Sequence, residues 1–187
     1  GPLQCFQGQW YIFYHRCSRG VQQHRRLCIE PVTINPDGTI DEVKMTSQGT
    51  GAPFGPGEAI MGYQACGMTG TVYIGVNEDA DTKTLYPEKL MNISDGDTAV
   101  FRYVKSDRRW SALVMKGKGR GTVRVLMNGS MAGVQETGKI VSGSTDHAGE
   151  TWSARIPLCA EAGECELELV FEKSDGLEVL ELVLQAQ

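Results

Sequence analysis

What most constrains this chain is the period of its apolar residues. No stretch of eleven residues carries the 3.6-residue repeat of an amphipathic helix, while alternating or continuous β-branched and aromatic runs recur throughout. Strands are predicted at 10–16 (WYIFYHR), 25–34, 39–45, 71–76, 99–105, 110–117, 121–127, 151–158, 165–172 and 177–185. Between them stand turn formers: Asn35-Pro36-Asp37-Gly38, Asp95-Gly96-Asp97, Asn128-Gly129-Ser130 and Ser174-Asp175-Gly176. Many short strands at regular spacing specify an all-β fold, a β-sandwich or barrel, preceded by a short three-stranded antiparallel segment.

The division between those parts falls in SQGTGAPFGPGEA (47–59), which holds four glycines and two prolines and has no strand character. Residues 1–52 then form the N-terminal segment with its linker, and residues 53–187 a complete sandwich. The first strand points Trp10, Ile12 and Tyr14 one way and Tyr11, Phe13 and His15 the other. With both faces apolar it requires neighbours above and below, so it reads as part of a larger sheet. Standing alone, residues 10–46 are expected to pair with a second copy or with the sandwich. The leading Gly1-Pro2-Leu3 reads as a protease remnant, placing the natural start upstream.

Composition narrows the function. A net charge of -5 argues against a nucleic-acid partner, and the basic cluster Lys116, Lys118 and Arg120 is broken by glycines and reads as a solvated turn. No apolar run approaches the ~20 residues that span a bilayer. The six cysteines at 5, 17, 28, 66, 159 and 165 contain no CxxC pair, which argues against zinc. Cys159 and Cys165 flank AEAGE between two strands, a placement that permits a disulfide. Three histidines (15, 24 and 147) and no G-x-S-x-G leave no nucleophilic triad. Asp79, Asp81, Asp95, Asp97, Glu166 and Glu168 lie in turns or alternate along a strand, as solubilising surface carboxylates do.

Gln9 to Gly49, running GQWYIFYHR…RRLCIEPVTINPDGTIDEVKMTSQG, resembles the closing segment of a glycoside hydrolase family 43 catalytic domain. That resemblance implies a five-bladed β-propeller whose last blade carries an aromatic strand ending His-Arg. The remainder, with AIMGYQACGMTG, NISDGDTAVFRYV, GRGTVRVLMNG and ETWSARI, resembles the family 6 carbohydrate-binding modules that follow such catalytic domains, and that resemblance implies a jelly-roll-like β-sandwich. The parent is then a bacterial β-xylosidase or arabinofuranosidase, secreted or at the cell surface ahead of the cytoplasm. Its three catalytic carboxylates come from earlier blades, so no catalytic residue is assigned here. His15 and Arg16 are the remnant of the parent active site.

Sugars stack their C–H faces on aromatic rings and offer hydroxyls to polar groups. In family 6 the stacking loop is approximately Thr-Gly-Gly-Trp-x-x-Trp; here DHAGETW (146–152) puts Gly149 at the first tryptophan and Trp152 at the second, more structural one. Tyr86 is the candidate platform, with Asn92, His147 and Asp175 as polar partners at the same end. Trp110 is a candidate for a site on the sheet face, and Phe101 and Tyr103 are assigned to the inter-sheet core. The family's structural Ca²⁺ rests on an early Glu-x-Glu, which here reads Met61-Gly62-Tyr63, so no metal or other cofactor is expected. The chain is expected to bind xylan or arabinoxylan-type plant cell-wall polysaccharide without catalysis and to partner its own catalytic domain. The rival reading is a structural sandwich that stabilises that domain without binding glycan.

Overall fold

The computed structural model describes residues 2–18, 21–78, 88–138 and 151–187. Twelve strands account for most of them: β1 (Leu3–Phe6), β2 (Gln9–Ser18), β3 (Val21–Val32), β4 (Ala59–Met61), β5 (Gly67–Thr69), β6 (Tyr73–Val76), β7 (Glu88–Met91), β8 (Thr98–Ser106), β9 (Trp110–Met127), β10 (Ser130–Thr137), β11 (Trp152–Ala160) and β12 (Gly163–Ala186). A single 3₁₀ turn, Gly62–Gln64, follows β4. The all-β expectation holds.

Two long strands organise the sandwich. The second half of β9 pairs with β10 and with the first half of β12, whose other edge carries β8. The first half of β9 pairs with β11 and with the second half of β12, whose far edge carries β4 and β7. Both strands therefore belong to both layers, and they bend together where the register slips between Glu172 and Glu178 opposite Thr122 to Lys118. What reads in the sequence as strand–turn–strand at 110–127 and 165–185 is in each case one continuous strand. Alternation along them places Leu113, Met115, Val123, Val125, Leu167 and Phe171 fully inside.

The segment before the sandwich also differs in detail from expectation. Its three strands are β1, β2 and β3, in the order β1-β2-β3, and residues 39–45 contribute only the bridge Ile34–Ile40. The chain there leaves the ladder because its far end is needed elsewhere. Thr46 N–H and Oγ1 donate to the buried carboxylate of Glu30 at 2.7 and 2.8 Å, and the Tyr14 hydroxyl donates to the same group at 3.1 Å. Burial, reinforced by the Glu30 charge, pushes the Tyr14 phenol well above its ordinary range.

The question of what β2 buries itself against has a direct answer. Its Tyr14–Arg16 face lies on the sandwich, and Arg16 donates to the main-chain oxygens of Tyr63 and Ala65. Arg26 on β3 pairs with the buried Glu88 at the start of β7, and its guanidinium stacks 4.6 Å from the Tyr63 ring centre. The glycine-rich segment is laid along the sandwich too: Phe54 N–H donates to Tyr103 O, Lys105 N–H to Phe54 O (both 2.9 Å), and Gly57 N–H to Leu184 O (2.8 Å). Against β12, the register of β8 slips between Cys165 and Leu167, so that Phe101 and Val104 both face the core. Tyr103 is consequently half-buried rather than in the core, and Val104 takes the inward place expected for it.

Candidate functional site

The bend of β9 and β12 builds one end of the sandwich, and the ends of neighbouring strands meet it. Thr137, the last residue of β10, lies opposite Gly121, and Trp152, the first of β11, lies opposite Gly117. The Trp152 indole folds over the strand beside it. Its N–H donates to Gly119 O at 2.7 Å, and its six-membered ring covers Gly117. A Cβ at Gly117 would sit 2.7 Å from that ring and 2.4 Å from Glu178 O, so only glycine lets the tryptophan lie there. Gly119, at φ +68°, makes the turn that brings its carbonyl to the indole. The glycines of KGKGRG thus form the seat of Trp152 rather than a free solvated turn.

Beside this seat Arg120 forms an ion pair with Asp175 at 2.6 Å, both exposed, and Lys89 pairs with Glu178 at 2.6 Å. Ser174 N–H donates to Asp95 at 2.7 Å, which ties the bend to the loop between β7 and β8. Within that loop Asp97 accepts from Ser94 N–H (2.9 Å), Thr71 N–H (3.1 Å) and Thr71 Oγ1 (3.0 Å). Burial pushes the Asp97 carboxyl upward, but these donors outweigh it and hold the group below the ordinary carboxylate range. Asp97 is therefore a buried structural acceptor, a correction to its reading as a surface carboxylate. Asn92, at φ +57°, donates from its side chain to Thr71 O at 2.9 Å while remaining exposed.

Of the expected site residues, Trp152, Asp175 and Asn92 are gathered at this end. Trp152 and Asp175 are joined through Gly119 and Arg120, and the loop that follows Asn92 is tied to the same bend by Asp95. Tyr86 and His147 lie outside the described residues, as do Asp79 and Asp81. Trp110 is a correction: at 1% exposure it is sealed in the core at the far end of β9, where it pairs with Ala160 and Ala186, and it offers nothing to a sheet-face ligand. His15 is exposed on the outer face of β2, while Arg16, one residue on, turns inward, so the two share no site. All six cysteines are free thiols, with Cys159 exposed and Cys165 buried on opposite sides of their strands.

A structural calcium does not fit at Met61-Gly62-Tyr63. No carboxylate is present there, a Cβ at Gly62 would meet Val179 O at 2.2 Å, and the Tyr63 carbonyl already receives Arg16. The cation in this stretch is a guanidinium brought by the N-terminal hairpin. Burial lowers the Arg16 pKa from its ordinary value. Among the described residues no group of three or more His, Cys, Asp or Glu side chains is placed to hold a metal ion.

No family model matches the sequence. A xylosidase/arabinosidase of Thermoclostridium stercorarium is 29% identical over 152 residues, covering 73% of this chain and 30% of its own. Among solved structures, a family 43 arabinoxylan arabinofuranohydrolase from Bacillus subtilis, determined with cellotetraose, superposes with a TM-score of 0.67 at 15% identity. It covers 99% of this chain and 40% of its own, so hairpin and sandwich are both matched. The chain resembles the C-terminal part of a glycoside hydrolase family 43 enzyme. Its sandwich has the fold of family 6 carbohydrate-binding modules. One from Clostridium stercorarium, determined with cellobiose, has a TM-score of 0.58 at 14% identity over 74% of this chain and 100% of its own. A β-1,3-glucan-binding one from Bacillus halodurans has a TM-score of 0.58 at 16% identity over 72% of this chain and 100% of its own. The chain spans under a third of the curated relative and two fifths of the hydrolase.

Proposed function

We propose that this chain is a non-catalytic carbohydrate-binding accessory unit of a plant-polysaccharide-degrading glycoside hydrolase, taking xylan or arabinoxylan-type glycan at the bent end of its sandwich. In this reading residues 1–52 are the closing piece of the catalytic propeller with its linker, and residues 53–187 are the binding sandwich. The observation that supports it is the seat of Trp152. A half-buried indole is held by a hydrogen bond and two glycines at an end that also presents exposed Asn92 and Asp175. A rigid ring with polar groups beside it is what a sugar face requires. Retardation of the chain in gels containing xylan, arabinan or arabinoxylan tests this. Mobility slowed by xylan or arabinoxylan supports it, and mobility unchanged by all three overturns it.

A second reading is favoured by a separate observation. Trp152 Nε1, Asn92 Nδ2 and Asp175 Oδ2 each engage a neighbouring protein group, and the hairpin is clasped to the sandwich through Arg16 and Arg26. On that reading the sandwich steadies the catalytic domain through the hairpin that joins them. Deleting the sandwich from the parent enzyme would then lower thermal stability, while the isolated chain bound no glycan.

A further inference from the structure

Away from the bent end, the glycine-rich segment, the first strand of the sandwich and the turn after it border an open cleft of about 500 Å³. It is lined by Gln48, Gly51, Ala52, Pro53, Phe54, Glu58, Ala59 and Gln64. That is within the range of small-ligand sites. Its polar groups are oriented in advance. Gln48 Oε1 accepts from Tyr103 N–H and Gln64 Oε1 from Met61 N–H, each at 2.7 Å. A backbone N–H must meet the amide oxygen and not the nitrogen, so both side-chain NH₂ groups are turned to face another partner. Among the described residues neither NH₂ donates to protein. Glu58 uses Oε2 for Gly55 N–H at 2.6 Å, and its Oε1 accepts from no described residue.

The residues lining the cleft thus carry two amide NH₂ groups and one carboxylate oxygen without a described protein partner, beside the apolar surface of Ala52, Pro53 and Phe54. No lysine or arginine lines it, which disfavours phosphate or carboxylate ligands. Fixed donors and an acceptor around apolar carbon suit a neutral polyhydroxylated ring, whose hydroxyls both give and take hydrogen bonds while its C–H face packs on carbon. We infer that this cleft is a second carbohydrate site, taking one neutral pyranose or furanose residue of an oligosaccharide. It depends on residues 48–64 and on Tyr103, which orients Gln48, and stands whether or not the bent end binds glycan.

The test is an NMR titration of the ¹⁵N-labelled full chain with millimolar xylotriose and, separately, cellotriose, in wild type, Ala52→Trp and Glu58→Gln. Ala52 lines the cleft, is exposed and has no side-chain hydrogen bond to lose, so a tryptophan there is chosen to obstruct it. The inference expects saturable shifts at the amides of residues 51–55 and 59–64. Ala52→Trp should abolish them while leaving any response near Trp152 intact. Glu58→Gln, which keeps the shape and an acceptor for Gly55, should weaken binding about fivefold through loss of a charged acceptor. Silence at residues 51–64 with both sugars overturns the inference, as does a response unchanged in Ala52→Trp. A response to free lysine or arginine but not to sugar assigns the cleft to a cationic peptide side chain and equally overturns it. Failure at the bent end alone would refute the proposed function and leave this site standing.

Discussion

Replacing Arg16 by methionine is the sharpest probe of how the hairpin and the sandwich hold each other. Methionine keeps the unbranched stem and removes the guanidinium that Tyr63 O and Ala65 O receive. Each hydrogen bond to a charged group contributes about 1.5–3 kcal/mol net of desolvation. The pair is thus worth about 3–6 kcal/mol, with the lower end expected because water reaches carbonyls at a half-buried interface. About 3 kcal/mol corresponds to roughly a 150-fold larger opening equilibrium, at 1.36 kcal/mol per tenfold. Hydrogen exchange followed by mass spectrometry reads this directly, since amides of β2, β3 and residues 62–66 exchange through that opening. Exchange there should accelerate by about two orders of magnitude, while β9 and β12 change far less. Arg16→Lys, which reaches one carbonyl at a time, should fall between. Rates within about threefold of wild type across the hairpin and residues 62–66 would refute the clasp.

Tyr14 predicts an alkaline limit to the stability of the hairpin itself, through its bond to Glu30. Its ionisation is held well above 10.0 in the folded state, so the stability it contributes is fully present below pH 10 and drains away as pH rises beyond that value. Melting temperature followed upward from pH 9 should fall less steeply for Tyr14→Phe than for wild type, and parallel curves would contradict the assignment. Asp97→Asn leaves a single oxygen for three donors and should lower stability at neutral pH by about 1–3 kcal/mol in urea unfolding. Because the Asp97 carboxyl lies below its ordinary range, the wild-type advantage should shrink only as pH falls below about 4. An undiminished gap at pH 2 would count against that origin. Gly117→Val should eject Trp152 from its seat and shift its fluorescence to the red without unfolding the core, whereas an unchanged spectrum would mean that the ring does not rest on Gly117.

Fold class was legible because period-2 burial leaves a direct trace in sequence, as the alternating inward residues of β9 and β12 show. The bends were not legible, since a glycine that lets a strand turn a corner looks in sequence like one that ends it. Residues 39–45 carry strand-like character, yet a buried carboxylate on β3 competes for Thr46 and withdraws the segment from the ladder. Trp110 shows the same limit for single residues. A strand-end tryptophan after Ser-Asp-Arg-Arg has the same local pattern whether it faces solvent or, as here, the centre of the core. Trp152, Asn92 and Asp175 stand out in the sequence because each sits beside a turn signal, and turns define the ends of a sandwich. The role of Arg16 was missed for a physical reason: its partners are main-chain carbonyls, which leave no mark in side-chain chemistry.

The proposed function has xylan-type glycan bound at the Trp152 end. Titration calorimetry of the full chain with soluble arabinoxylan and xylo-oligosaccharides, beside Trp152→Ala, addresses it most directly. Binding at that end gives saturable heat for the wild type and a loss of at least tenfold in affinity for Trp152→Ala, the order expected for removing one stacking ring. Equal binding by both proteins, or no heat from either, would contradict it.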